Sequence, residues 1–333
     1  MRVAIIGASH WHVPVYYLEA LKLSEARLVG LADPDLAVLE RLDPESDHPH
    51  YTDYRALLGR EKPDLVFAHA PHDQMTALAA DLVARRQAFH MEKPAGIDWR
   101  ALQPVAREAR EAGVFNSIAL VNRYMAGVEA LVGLKEAGRL GRVAHGYFRL
   151  FAGPPERYRA WGVPWMLDPA RAGAGPLFNF GPHGVDLFLS LLDEPVVTVS
   201  CWTTHALHHE QIEDLASVHL QTASGALAVI EVGYVVSGAY ERYFSLTTDA
   251  LHFGGQLDQG NILLRDGQPV SFSGVDADAV YSIYTREVLR RYEAGLPGRV
   301  DLMAMTAILR IINAAQESVA RGQAVALGTE ANG

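Results

Sequence analysis

Two short stretches carry residue types suited to holding and transforming small molecules. Gly7-Ala8-Ser9-His10-Trp11-His12 directly follows the apolar run "VAIIG", where a strand turning into a helix offers free backbone N–H groups to a phosphate. Dinucleotide-binding turns of this kind use three glycines: one bends the chain, one lets the pyrophosphate approach, and one lets helix pack on strand. Gly7 keeps the first role, while Ser9 and His12 occupy the other two positions. The Ser9 hydroxyl can donate to a phosphate oxygen. His12, in the first helical turn, is expected to face the phosphates and add positive charge beside the helix N-terminus. Asp33 stands 26 residues after Gly7, the place for a carboxylate that accepts from adenosine ribose hydroxyls. With Asp35 close behind and no arginine alongside, a 2′-phosphate would be repelled, which favours NAD over NADP. The second stretch, "FHMEKPAG" (89–96), sets Glu92 and Lys93 before Pro94 at the end of another apolar run. In an open α/β sheet that is the carboxyl edge, where ligands bind.

The elements that must position these residues alternate over the first 120 positions. Strands are expected near 3–7, 26–33, 64–71, 87–94 and 114–120. Helices are expected over 13–23, after Pro34, and over 53–59, 73–86 and 98–111. Alternation of this kind implies right-handed crossovers and a parallel, doubly wound sheet. From 121 the pattern changes. A helix (125–137) and a strand (142–151) lead into a Gly/Pro/Trp-rich loop (152–176). A helix (178–192), strands near 196–204, 214–222, 226–236 and 241–248, a strand pair near 250–264, and helices over 276–294 and 301–321 follow. Successive strands with few helices between them read as a largely antiparallel open sheet covered by helices on one face. The expected organisation is therefore a Rossmann dinucleotide-binding domain (1–120) and an α+β domain for substrate binding and oligomerisation (121–333). The open sheet face suggests a homodimer or homotetramer.

A formal net charge of −10, with no basic run, argues against nucleic acid or an acidic membrane surface as partner. No run of 18 apolar residues is present, and a strand begins within two residues of Met1, leaving no room for a signal peptide. Cys201 is the only cysteine, which fits a reducing, cytoplasmic compartment.

The spaced motifs together resemble the Gfo/Idh/MocA oxidoreductases, the family of glucose–fructose oxidoreductase and inositol dehydrogenase. "DLVFAHAPHDQM" is similar to the family strand ending in Pro-Asn, and "MEKPAG" to its lysine signature. "VNRYMAGVEALVGLKEAGRLGRV" is similar to the segment entering the second domain, and "RAGAGPLFNFGPHGVDLFLSLL" to the active-site stretch. The resemblance implies hydride transfer between a secondary alcohol of a sugar, polyol or related compound and nicotinamide. Lys93 would polarise the substrate oxygen and His183 would move the proton. It places His10, Trp11, Ala70, Pro71, His72, Glu92, Lys93 and Arg123 at the cofactor beside Gly7, Ser9, His12 and Asp33. Trp161, Trp165, Arg171, Asn179 and Asp186 are its substrate candidates.

Several positions depart from the family pattern. Asn179 stands where aspartate is common; an amide can orient a hydroxyl but cannot accept its proton. Met166 replaces an arginine, His72 an asparagine, Met75 a histidine and Ala174 a glycine. If 178–192 is one helix, Asn179, His183 and Asp186 or Leu187 share a face; Asn179 also suits a helix N-cap. These departures leave two further readings open. One is an enzyme that uses bound NAD without net redox change, as in glycoside cleavage or epimerisation. The other is a non-catalytic nucleotide or sugar sensor. His10, His12, His69 and His72 gather at the sheet edge, but the resemblance implies no metal, and none is expected. His205 and His209 read as a polar loop.

Overall fold

A computed structural model describes the chain except residues 46, 193, 239, 257–259, 265–268, 271–278 and 329–333. Six short strands form a fully parallel sheet: β1 (Arg2–Ile6), β2 (Arg27–Ala32), β3 (His50–Tyr51), β4 (Leu65–Ala68), β5 (Phe89–Met91) and β6 (Asn116–Ile118). Their order is β3-β2-β1-β4-β5-β6, so the chain reverses direction beside β1. That reversal opens the crevice in which such sheets take ligands. The intervening helices are α1 (Leu18–Lys22, preceded by one wide π-helical turn, Val13–Tyr17), α2 (Leu36–Leu42), α3 (Tyr54–Glu61), α4 (His72–Ala84) and α5 (Trp99–Glu111).

Aspartates start three of these helices. Asp35, Asp53 and Asp98 accept the Ala37, Arg55 and Arg100 N–H groups, filling donors that a first turn leaves unpaired. Pro34 lies just ahead of the Asp35 cap, and the helix expected after it begins at Leu36. Apolar residues with almost no polar interruption fill β1 and β4, both buried on each face.

After α6 (Ala126–Glu136) comes β7 (Val143–Phe151). The Gly/Pro/Trp loop folds into short turns, α7 (Arg157–Ala160), a 3₁₀ turn (Pro164–Leu167), α8 (Pro169–Ala172) and α9 (Pro176–Asn179), ahead of α10 (Gly181–Leu191). The expected single helix over 178–192 is thus broken at Phe180. Pro182 has no N–H to return to Phe178, so α10 restarts with that proline near its N-terminus. Then come β8 (Val196–Thr204), β9 (Leu215–Thr222), β10 (Leu227–Gly233), β11 (Glu241–Thr248), β12 (Leu251–Gly255), β13 (Gly260–Leu264) and β14 (Pro269–Val270). Helices α11 (Ala279–Glu293) and α12 (Leu302–Arg321) and the short β15 (Val325–Ala326) complete the described chain. Parts of the expected strand pair (257–259) and of the expected helix 276–294 (276–278) lie outside the described residues.

The nine-stranded order β14-β13-β12-β11-β7-β10-β9-β8-β15 is antiparallel except where β7 and β10 run parallel. Burial alternates along β7 to β11, so one face packs on helices and the other meets solvent. Helix α12 packs on both α5 and β8 and carries a long buried stripe that includes Leu309 and Ile312.

Candidate active site

A cavity of ≈ 670 Å³ runs along the carboxyl edge of the parallel sheet. Gly7, Ser9, His10, Asp33, Asp35 and Arg55 line one side; His69, Ala70, Pro71, Trp165 and Arg171 are also at its walls. The turn after β1 is built by Gly7, whose φ of +73° few side chains tolerate. Its N–H donates to the Ala32 carbonyl at 2.9 Å, and a Cβ there would lie 2.0 Å from the His69 carbonyl oxygen. Asp33 is buried, and its two oxygens accept the Ser9 and Asp35 N–H groups at 2.7 and 3.0 Å. Each carboxylate oxygen retains capacity for another donor. A bare bend, a hydroxyl-bearing residue and a buried carboxylate around one large cavity fit a dinucleotide. The arginine that the sequence had not placed near Asp33 is Arg55. It lines the same cavity while pairing with Asp81 at 3.4 Å.

His12 does not face this cavity. Its Nδ1 bonds Glu92 Oε1 at 2.7 Å, 80 residues away in sequence. With Trp11 it lines a smaller neighbouring pocket that holds Lys93, Asn122, Asn179, His183, Tyr240, Arg242 and Tyr281. The glycine that usually lets helix pack on strand is absent, and the chain enters α1 through a wide π-turn beside this imidazole. The phosphate contact expected of His12 is therefore corrected: its partner is a carboxylate at the end of β5. His10 stacks on Trp11 at 3.9 Å and remains at the large cavity.

Glu92 ties the two regions together. It accepts from His12, from Tyr17 Oη at 3.0 Å and from the Lys93 N–H at 3.1 Å. Burial pushes its carboxyl up, but His12, His10 and Lys93 hold it well below the usual range. Lys93 is buried, and its ammonium donates to the backbone oxygen and Oδ1 of Asn179, each at 2.6 Å. Burial lowers Lys93 to about 8, against the opposing pull of Glu92. Asn179 in turn donates to Tyr158 Oη (2.7 Å) and Tyr234 Oη (3.1 Å). It caps no helix; it is the last residue of α9 and fixes the lysine in place. His183 follows on α10 in the same pocket, its Nδ1 buried and without a hydrogen-bond partner. Burial, then Lys93 and Arg242, hold it well below its ordinary value.

Other expected residues sit elsewhere. Arg123 and Asp186 form a bidentate ion pair with each other (2.8 and 2.6 Å) and line neither cavity. His72 is buried behind the cavity wall, bonding the Ala172 carbonyl at 2.9 Å; burial and then Lys93 lower it to about 3. Met75 and Met166 are wholly core. Trp161 is 44% exposed and stacks 6.5 Å from Trp11. His205 and His209 are exposed in a loop between β8 and β9. Sequence reasoning missed Tyr158, Tyr234, Tyr240, Arg242 and Tyr281; Tyr158, Arg242 and Tyr281 lie in α7, β11 and α11, Tyr234 and Tyr240 lie between strands, and nothing local in the chain marks any of them as part of the site. Among the described residues, His10, His12 and Glu92 form the one group of three potential metal ligands, with ligand atoms within 4.8 Å of one another. Here they are joined by hydrogen bonds, His12 N–H to His10 Nδ1 at 3.2 Å and His12 to Glu92. No helix among the described residues is long and apolar enough to cross a membrane.

A parallel sheet with a nucleotide-sized crevice, and a buried lysine beside it, define an oxidoreductase of the NAD-binding Rossmann type. Residues 1–120 match the model of the oxidoreductase family with that fold, and residues 128–250 match the GFO/IDH/MocA C-terminal domain. The chain belongs to the GFO/IDH/MocA oxidoreductase family. It is 27% identical over 207 residues to trans-1,2-dihydrobenzene-1,2-diol dehydrogenase of Macaca fuscata fuscata, covering 61% of this chain and 59% of that protein. The match thus spans about three fifths of the curated relatives' length. In fold it is similar to levoglucosan dehydrogenase in complex with NADH and levoglucosan (TM-score 0.85, 14% identity, 99% and 100% of the chains). It is also similar to an Agrobacterium radiobacter oxidoreductase in complex with NAD+, L-tartaric acid and magnesium (TM-score 0.83, 18% identity, 99% of each chain).

Proposed function

We propose that the chain is an NAD-dependent dehydrogenase oxidising a secondary alcohol of a sugar, polyol or related hydroxylated compound. The observation that carries this reading is the Lys93 ammonium, buried against Asn179 in a pocket that also holds His183 and adjoins the nucleotide-sized cavity. Gly7, Ser9, His10, Asp33, Ala70 and Pro71 would hold the dinucleotide, whose nicotinamide supplies the hydride acceptor. Lys93 donates to the substrate oxygen and stabilises alkoxide character as the C–H bond weakens. Asn179 fixes the lysine, and His183, held neutral, accepts the hydroxyl's hydrogen bond and its proton. The relatives' names, a diol and a sugar dehydrogenase, support a CH–OH substrate.

A second assignment of the proton is favoured by one contact. His12 reaches the same pocket and is the imidazole joined to a carboxylate, Glu92, at 2.7 Å. A carboxylate fixes the tautomer and stabilises the imidazolium once formed; His183 has no such partner. Substituting His12 and His183 separately by Gln, and following the pH dependence of kcat, assigns the base.

Asp33 and Asp35 support NAD over NADP, while Arg55 on the same wall pulls the other way; the ratio of the two affinities decides. We also retain the division near residue 120, a homodimer or homotetramer through the solvent-facing sheet surface, where Trp202 is 62% exposed, and a cytoplasmic location on the strength of one free, buried cysteine. The test of the central reading is calorimetric binding of NAD, followed by NADH formation with a panel of sugars and polyols. Lys93→Met should bind NAD, keep the wild-type melting temperature and lose turnover about 100-fold or more. Absence of NAD affinity in the wild type, or an active Lys93→Met variant, overturns it.

A further inference from the structure

The small pocket contains a cation that the reaction above does not use. Arg242, on β11, lines it together with Lys93 and His183. Its Nε is buried without a hydrogen-bond partner, and among the described residues no hydrogen bond or ion pair reaches its guanidinium. The Tyr240 ring lies 5.3 Å from it.

Several other arginines of this chain meet a carboxylate, whereas Arg157, whose Nε is also buried without a partner, packs over four aromatic rings. Arg159 is bidentate with Glu210, Arg123 is bidentate with Asp186, and Arg149 on the adjacent strand pairs with Glu241. In a chain with ten more acidic than basic residues, carboxylates are plentiful, yet none lines this pocket. Glu92 lies beneath it, but its oxygens are committed to His12, Tyr17 and the Lys93 N–H. Lys93 spends two of its donors on Asn179, so its charge is not neutralised by an acidic partner in direct contact. Two cations facing one small pocket, with the nearby Glu92 carboxylate already shared by His12 and Tyr17, are costly unless a ligand supplies further negative charge. A planar guanidinium fork matches a carboxylate in both geometry and charge.

We propose that Arg242 is the binding residue for a carboxylate on the substrate, so that the alcohol oxidised belongs to a polyhydroxy acid such as an aldonate or uronate. The inference rests on the dehydrogenase reading for what happens to the hydroxyl, but not for the anion subsite itself. With the carboxylate on Arg242, a hydroxyl further along the same molecule reaches Lys93 and His183. With a nicotinamide dinucleotide bound, the carbinol carbon would give up hydride to it and the hydroxyl its proton to an imidazole, leaving a ketone and an unchanged carboxylate.

The test uses the full chain with NAD and paired probes: D-gluconate against D-sorbitol, and D-glucuronate against D-glucose. Binding is measured by calorimetry and turnover by NADH formation. An acid should bind about 10- to 100-fold more tightly than its neutral counterpart, as expected for a charge-assisted contact. Arg242→Gln should erase that ratio, and Arg242→Lys should restore part of it, with wild-type melting temperature showing that each variant folds. Because the acid-to-neutral ratio is first read in the wild type, a variant that fails to fold does not spare the proposal. Equal or weaker binding of both acids overturns it, as does an unchanged ratio in a folded Arg242→Gln variant. Neutral sugars turned over while the acids are ignored would leave the dehydrogenase standing and remove the carboxylate subsite. Acids bound through Arg242 with no NADH formed would do the reverse.

Discussion

Lys93 is the residue whose protonation should be most visible. Burial has moved its pKa down to about 8, and Glu92 opposes the shift. The ammonium is thus present below that value and lost as pH rises through it, so turnover should fall on the alkaline side of about 8. Removing the Glu92 charge takes away the attraction that raises Lys93, and Glu92→Gln should move the alkaline limb to lower pH. Asn179→Asp does the opposite: a carboxylate 2.6 Å from the ammonium favours the charged form, and the limb should move upward. A pH–kcat series on the three proteins checks both signs; limbs that stay together would exclude Lys93 as the titrating group. The group His10, His12 and Glu92 calls for a separate measurement. Its members already satisfy one another by hydrogen bonds, so dialysis against a chelator should leave activity unchanged, and loss restored by zinc or manganese would make it a metal site.

At the scale of the elements, the turn after β1 is the most demanding piece of backbone. Gly7→Ala would force a side chain into a left-handed conformation and onto the His69 carbonyl. It should lower stability by roughly 1–3 kcal/mol and abolish NAD binding, as read by thermal melting and calorimetry. Much of this level was legible in the sequence. Strands β8 and β11 came out with their observed limits because both runs are rich in β-branched and aromatic residues. The parallel sheet followed from strict strand–helix alternation. The break at Phe180 was hidden because the apolar period continues across Pro182, whose missing N–H acts through a neighbour four residues back. The site was legible only in part. Gly7, Asp33, Lys93, Asn179 and His183 sit in motifs that carry their spacing along the chain. The direction of His12 depends on Glu92, and Asn179's partners on Tyr158 and Tyr234, contacts made across 80, 21 and 55 residues. Arg123 and Asp186 were each read as ligand contacts because nothing local shows that they face one another.

Across the whole molecule, α12 is where the two sheets share structure. Asn313 accepts the Trp99 N–H and donates to the Ile97 carbonyl, Gln316 donates to the Gly173 carbonyl, and Ser318 Oγ accepts the Cys201 N–H. At the first residue of the helix, the Leu302 N–H reaches Asn116 Oδ1. Scanning calorimetry should therefore give one unfolding transition, and saturating NAD should raise all of it; ligand at 100 times its Kd adds about 2.7 kcal/mol. Asn313→Ala should lower the melting temperature of that single transition without changing the substrate preference, and a split into two transitions would disprove the coupling. The same helix sets a rule for anyone exchanging parts between relatives. A chimera that joins the nucleotide half of one chain to the substrate half of another imports α12 with the second half. One side of that helix was shaped against a foreign α5 and β6. Such a graft needs the α5-facing residues of α12 rewritten along with the crossover point, or the recombined protein will be assembled around a mismatched seam.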